Sequence, residues 1–361
     1  MSNHKTIYII AGEESGDILG GRLMQALNQA GQFDFHGIGG QSMQEQGLPS
    51  LFPMTDLSVM GLFEVLPRLP KIMKRINQTV TDIAQKQPDL VITVDSPDFC
   101  KRVVKAVRPL CAKTKFIHYV APTVWAWRQG RAKKMAKLYD GLICLFPFEP
   151  QYFEPYGLRA DYCGHPIVET ITQGQKTRTN DHILILPGSR VGEVKRMAPV
   201  FAETFKKMRG MNPSLKAYIV ALPHVKDMID EEFYGMDIDY IAPVDRFEAF
   251  KTAPFTLATS GTVGLELAVA ECPHIIAYKM NPLTWKVLQH LVHVKFAHLV
   301  NIMEGRQVIP ECLQSRCNSD DILHAVKTYD CPDLSVIRAK LSGHKDQSPS
   351  QQAAKFVQSF L

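Results

Sequence analysis

The chain has 361 residues, 45% of them hydrophobic, 21% charged and 9% aromatic, with 41 Lys and Arg against 36 Asp and Glu. These proportions exclude a disordered chain, a collagen-like repeat and a disulfide-bound mini-protein, and the length predicts two domains. The net charge of +5 is uneven: 58–137 holds 16 cations and 5 anions, an excess of +11 that leaves −6 elsewhere. Such a band points to nucleic acid, a phosphate ligand or a membrane surface, with a solvated helix face as the plain alternative.

TIYII at 6–10 predicts a short buried strand, followed by the loop AGEESGD and an amphipathic helix carrying Leu19, Leu23 and Leu27. Gly12 and Gly16 permit close backbone approach to a ligand, and Glu13, Ser15 and Asp17 supply polar groups beside them. The spacing is neither GxGxxG nor a Walker A loop, so a plain βα turn is the competing reading. At 62–76, LFEVLPRLPKIMKRI sets apolar residues at near-helical spacing with Arg68, Lys71, Lys74 and Arg75 among them. Pro67 and Pro70 predict a loop that enters a helix near Pro70. The pattern fits either an interfacial membrane anchor or an ordinary core helix.

LVITV at 90–94 is a second strand and ends at Asp95, within Asp95-Ser96-Pro97-Asp98-Phe99. A carboxylate at the end of a buried strand is placed to act as a general base, and His118 in the next strand, 116–120, is the rival. A fourth strand is expected at 141–146. Continuous apolar strands between amphipathic helices predict a parallel sheet covered on both faces.

Residues 171–181 turn polar and unpatterned, as a linker does. Strands then recur at 182–186, 215–222, 255–259 and 274–280. After the first comes Pro187-Gly188-Ser189-Arg190, a loop and helix start suited to an anion, with an arginine to clamp a phosphate. After the third comes Ser260-Gly261-Thr262, which suits a diphosphate, and Glu266 one turn on is placed to accept both hydroxyls of a ribose. A capped turn, and a glutamate that complements the helix dipole, are the plain readings. Asp237-Ile238-Asp239 has the spacing of a metal pair but precedes an apolar run instead of following a strand, so it is not a convincing metal site. The eight cysteines form no CxxC pair and read as reduced and buried. The expected domains are 1–172 and 182–330, with a helical segment at 331–361 that packs back across the boundary or onto a second copy, as a homodimer. IYIIA is too short for a signal peptide and no run of 18 apolar residues occurs, so a cytoplasmic protein is expected.

Taken together the motifs resemble the lipid-A-disaccharide synthase family along nearly the whole chain. The pieces are AGEESGDILGG (11–21), SVMGLFEVLPRL (58–69), DSPDF (95–99), HYVAPTVWAWRQGR (118–131), FPFEPQYF (146–153), GHP (164–166), LPGSR (186–190), SGTVGLEL (260–267) and VIPECLQ (308–314). The resemblance implies a GT-B fold, α/β with two Rossmann-like domains facing a cleft, and an inverting glycosyltransferase. Its reaction joins UDP-2,3-diacylglucosamine to the 6′-hydroxyl of 2,3-diacylglucosamine 1-phosphate and releases UDP, with no metal or other cofactor. It implies Asp95 as the base and Gly188, Ser189, Arg190, Ser260, Gly261, Thr262, Glu266 and Asn301 around the UDP donor. On the acceptor side it implies Glu13, Ser15, Gly16, Asp17, Asp98, Trp125 and Arg128. One departure stands out: the family commonly carries Asn where this chain has Cys100.

Doubly acylated substrates favour the membrane reading of the basic band over nucleic acid. Leu62, Phe63, Val65, Leu66, Leu69, Ile72 and Met73 then form the docking surface, on the cytoplasmic face of the inner membrane of a Gram-negative bacterium. The competing readings are another GT-B enzyme acting on UDP-N-acetylglucosamine, such as a 2-epimerase, and a non-catalytic nucleotide- or RNA-binding protein.

Overall fold

The computed structural model describes residues 4–57, 62–171, 178, 181–281, 284–286, 289, 291–292, 294–344 and 346–361; the side chains of 62–68 also lie outside the description. The chain forms two compact units, residues 1–166 with 342–361, and residues 167–341. The segment 331–361 is therefore shared: the helix Ser335–Leu341 belongs to the second unit and the last helix, Pro349–Gln358, to the first. Most of the linker stretch at 171–181 lies outside the described residues.

The first unit holds strands β1 (Lys5–Ala11), β2 (Phe33–Ile38), β3 (Leu90–Val94), β4 (Lys115–Tyr119), β5 (Gly141–Cys144) and β6 (Arg159–Tyr162). Helices α1 (Glu14–Ala30), α2 (Gln41–Gln44), α3 (Leu62–Lys86), α4 (Pro97–Val107) and α5 (Arg131–Ala136) connect them. The sheet is parallel, in the order β2-β1-β3-β4-β5-β6. Alternate side chains of one strand serve two cores: Tyr8 and Ile10 face one, Ile7 and Ile9 the other. The last helix seals the second core with Ala353, Ala354 and Val357 against α1.

The second unit begins with α6 (Ile167–Thr170), followed by β7 (His182–Leu186), α7 (Val191–Met211), β8 (Lys216–Val220), α8 (Lys226–Glu232) and β9 (Ile238–Ile241). Then come α9 (Arg246–Thr252), β10 (Thr256–Thr259), α10 (Thr262–Val269), β11 (His274–Tyr278), a helix at Leu299–Glu304 and β12 (Glu311–Leu313). Its parallel sheet runs β12-β11-β10-β7-β8-β9, and α7 covers one face with Met197, Phe201 and Phe205.

The strand orders place the candidate sites. In an open parallel sheet, loops on opposite sides of the point where strand order reverses splay apart and leave a crevice. In the first sheet that point lies between β1 and β3, so the Gly12–Asp17 and Asp95–Asp98 loops flank it. In the second it lies between β7 and β10, so Pro187–Arg190 and Ser260–Thr262 flank it.

Two expectations change. Helix α3 starts at Leu62 and contains both Pro67 and Pro70, where a loop was expected up to Pro70. Proline's fixed φ is itself helical, and the two missing N–H groups leave only the carbonyls of Phe63 and Leu66 without their helical partners. The expected strand at 141–146 ends at Cys144, because the backbone N–H groups of Leu145 and Phe146 donate to the Glu149 carboxylate.

Candidate active site

In the second unit the switch point opens into a cavity of about 510 Å³. Gly188, Ser189, Arg190, Ser260, Gly261, Thr262 and Glu266, separate in sequence, all line it. Helices α7 and α10 both start at this cavity, and neither first turn is capped by a side chain. Their free N–H groups and dipoles favour an anion. Gly188 turns the loop with φ of 114°, a conformation side chains resist. The Arg190 side chain is 82% exposed, and its Nη1 lies 3.2 Å from Glu193 Oε1. This weak exposed pair leaves the guanidinium mobile enough to turn to a phosphate. Buried at the cavity wall, the Thr259 hydroxyl has no partner among the described residues.

Sequence reasoning missed Arg246. At the start of α9 it donates from Nε and Nη2 to the Glu266 carboxylate, at 3.1 and 3.3 Å, and from Nη1 to the Pro243 carbonyl. It therefore fixes the orientation of Glu266. No local motif marks this pair, because its members are 20 residues apart on different helices.

Asn301 is placed elsewhere. It is fully buried on Leu299–Glu304, where its amide nitrogen donates to Ile309 O and Glu311 Oε1 and its oxygen accepts from the N–H groups of Val308 and Ile309. Those four bonds fill its capacity. Asn301 thus holds the turn before β12, and it is not among the residues lining the cavity.

In the first unit, Asp95 and Ser96 end β3 with φ of 51° and 44°, two consecutive residues in the left-handed region. Strain of this kind persists where the surroundings enforce it and clusters at functional sites. Asp95 N–H donates to Tyr119 O, Asp95 Oδ1 accepts from Ser96 N–H, and Pro97 then starts α4. The opposing loop leaves room for this turn only because residue 12 is glycine: a Cβ there would lie 2.5 Å from Ser96 Oγ. Gly16 is less constrained: a Cβ there would lie 3.2 Å from Val94 O. Partial burial first, and the nearby Asp95 charge second, hold the Glu13 carboxyl above its usual pKa. A groove of about 380 Å³ adjoins this turn, lined by Glu13, Ser96 and Asp98 with apolar partners from α3 and α4.

Several acceptor-side candidates take different places. Asp17 is buried, and its carboxylate accepts from the N–H groups of Gly40, Ser42 and Met43 at the start of α2. It staples α1 to α2. Trp125 is buried too, and its Nε1 donates to Glu149. Arg128 is exposed and stacks over Trp127 at 4.1 Å, and Ser15 is exposed on α1. None of these four lines the groove. His118 lies sealed in the core, its Nδ1 2.7 Å from Thr93 Oγ1, and burial pushes its pKa down to about 4. It does not reach the Asp95 turn's groove. Cys100 is fully buried on α4, and its thiol pKa is raised by burial, then by Asp95. Of the docking set, Leu69 and Met73 are exposed and Ile72 is half-buried; Leu62, Phe63, Val65 and Leu66 have side chains outside the described residues.

The sequence profile of the family described as lipid-A-disaccharide synthetase matches residues 7–355. The chain belongs to the lipid-A-disaccharide synthase family. A lipid-A-disaccharide synthase of Rhodospirillum centenum is 41% identical over 97% of this chain and 93% of its own length. Another, from Ruegeria pomeroyi, is 42% identical over 88% and 84%. Among solved structures, a glycotransferase of kitacinnamycin aligns with a TM-score of 0.64 at 13% identity, over 99% of this chain and all of its own. The UDP-GlcNAc 2-epimerase of Neisseria meningitidis, bound to UDP-GlcNAc, aligns with 0.63 at 10% identity, over 98% of both chains. At such identity these two show the fold, which is GT-B.

Proposed function

We propose that this chain transfers 2,3-diacylglucosamine from its UDP donor to the 6′-hydroxyl of 2,3-diacylglucosamine 1-phosphate, giving a β-1,6-linked disaccharide phosphate and UDP. Family membership across residues 7–355 carries this reading. The second unit's cavity holds the donor. Uncapped helix starts and Arg190 face the diphosphate there, and they stabilise the charge that grows on UDP as it leaves. Glu266, oriented by Arg246, takes the ribose hydroxyls. Asp95 accepts the proton of the attacking hydroxyl, which approaches the anomeric carbon from the face opposite UDP and so inverts it. The acylated substrates lie in a bilayer, and the exposed Leu69 and Met73 on α3, with Lys74 beside them, dock the protein to its cytoplasmic surface.

The test supplies both acyl substrates in detergent micelles with a chelator present. UDP release matched by a new disaccharide supports the proposal. Turnover of UDP-N-acetylglucosamine with no disaccharide formed would replace it. Asp95→Ala is expected to lower kcat by roughly 100- to 10,000-fold, the usual worth of a general base, and to leave UDP affinity unchanged.

A further inference from the structure

The groove beside Asp95 has a cation whose role neither the fold nor the proposed chemistry has yet used. Asp98 and Arg102 stand four residues apart on one face of α4, and both line it. That spacing normally forms an ion pair. Here it does not: Arg102 turns toward α3, with Nη1 3.9 Å from the Met73 sulfur. Among the described residues no carboxylate lies within 4.0 Å of it. Three cations near it in the basic band are instead held by carboxylates: Lys71 and Arg75 by Asp56, and Arg108 by Asp140. Arg102 is exposed, and it borders the wall formed by Leu57, Leu69, Ile72 and Phe99.

An unpaired guanidinium at the edge of an apolar groove suits a ligand that is both anionic and acylated. Its planar fork matches phosphate with two parallel hydrogen bonds. Ser96 and Arg102 are separated by roughly 9 Å along α4, at 1.5 Å per residue. That is the scale of one hexose with a phosphate attached. A sugar with its hydroxyl at the Asp95 turn therefore carries its phosphate toward Arg102.

We propose that Arg102 binds the phosphate of the acylated-sugar acceptor, while Leu57, Ile72 and Phe99 receive the start of an acyl chain. The assignment rests on the glycosyltransferase reading and names the residue that tells a phosphorylated acceptor from an unphosphorylated one. The donor's diphosphate is taken by the second unit and does not compete for it.

The experiment compares 2,3-diacylglucosamine 1-phosphate with the same lipid lacking its phosphate, in neutral detergent micelles that present no other phosphate. Binding and transfer are both measured for the wild type, Arg102→Ala and Arg102→Lys. The wild type is expected to prefer the phosphorylated lipid. Arg102→Ala should raise KM and Kd for that lipid roughly 10- to 100-fold, the usual worth of a hydrogen-bonded charge. It should leave the unphosphorylated lipid and the UDP donor unchanged, so the preference collapses, and Arg102→Lys should restore part of it. Equal weakening of both lipids, or no change in either, would overturn the assignment. Phosphate-dependent binding lost in Arg102→Ala, with no transfer by any variant including the wild type, upholds Arg102 and removes the transferase reading instead.

Discussion

Asn301 shows how a buried polar residue can spend its whole hydrogen-bonding capacity inside the fold. Its four hydrogen bonds are all internal, and Glu311, which accepts one of them, also accepts from the N–H groups of Ala297 and His298. Asn301→Ala would leave two buried N–H groups, of Val308 and Ile309, and the Ile309 carbonyl short of a partner. Each such loss costs about 1–3 kcal/mol, so the variant is expected to lose roughly 3 kcal/mol of stability by urea unfolding. UDP affinity of the fraction that remains folded should match the wild type. A stable variant with weakened UDP binding would return Asn301 to the donor site, as the family resemblance implies. Residues of the 187–190 and 260–266 stretches were readable because glycine and hydroxyl residues directly after an apolar strand have few other uses. Asp17, Trp125 and Asn301 stood in equally informative-looking motifs, but their partners lie 15 or more residues away, or in a turn whose geometry the sequence does not display. Arg246 was invisible for the same reason.

At the scale of elements, the strands that an apolar run predicts are the interior ones: β1, β3, β4, β5, β7, β8, β10 and β11. The strands that escaped such reading are β2, β6, β9 and β12, the four edges of the two sheets. An edge strand has one unpaired side and half-exposed faces, so FDFHGI, RADY and IDYI alternate apolar with polar residues, and ECL is only three residues long. Burial on both faces is what writes a continuous apolar run, and edges lack it. Helix α3 shows the opposite error, since its prolines suggested a break. Its C-terminal part packs Ile76, Thr79 and Ile83 inward, while Leu69 and Met73 stay exposed near its start. On the proposed membrane reading, that division separates the part of the helix that folds from the part that docks. Leu69→Glu with Met73→Glu is expected to abolish co-sedimentation with anionic lipid vesicles. The melting temperature should fall little, because both side chains are already exposed, and UDP binding by the second unit should be unaffected. Undiminished vesicle binding by the double variant would exclude α3 as the docking element.

Across the whole molecule, four histidines with lowered pKa values lead to an expectation of how the two units respond to acid. His118 and His165 in the first unit, and His274 in the second, have pKa values pushed down to about 4 by burial. His298 is pushed well below its ordinary value, by burial first and by His274 second. The last two form a relay. His298 Nδ1 accepts from Val300 N–H, so its Nε2 carries the proton that points at His274 Nε2, 2.9 Å away, and His274 Nδ1 then donates to Cys272 O. Between the facing nitrogens there is room for one proton, so a second must break the relay. A histidine held neutral in the folded state but protonated near pH 6.5 when unfolded contributes stability that is full above pH 6.5 and lost as pH falls toward 4. Glu149 has the opposite sign. Burial pushes its pKa up to about 7, so its folded carboxyl takes a proton before the unfolded one does, and acidification from 7 toward 4.5 favours the fold. Glu13, also raised, acts in the same direction. In the first unit the two carboxyls thus oppose the two histidines. The second unit has no such offset among its described residues with a shifted pKa, so its unfolding takes up protons as pH falls below 6.5 and its stability falls with them. As pH falls from 7 to 5, the second unit is therefore expected to open first. Segment-resolved hydrogen exchange, corrected for the intrinsic pH dependence of amides, should show β7, β10 and β11 losing protection at a higher pH than β1, β3 and β4. Simultaneous loss in both sheets, or earlier loss in the first, would mean that the His274–His298 relay does not govern the acid limit of the fold.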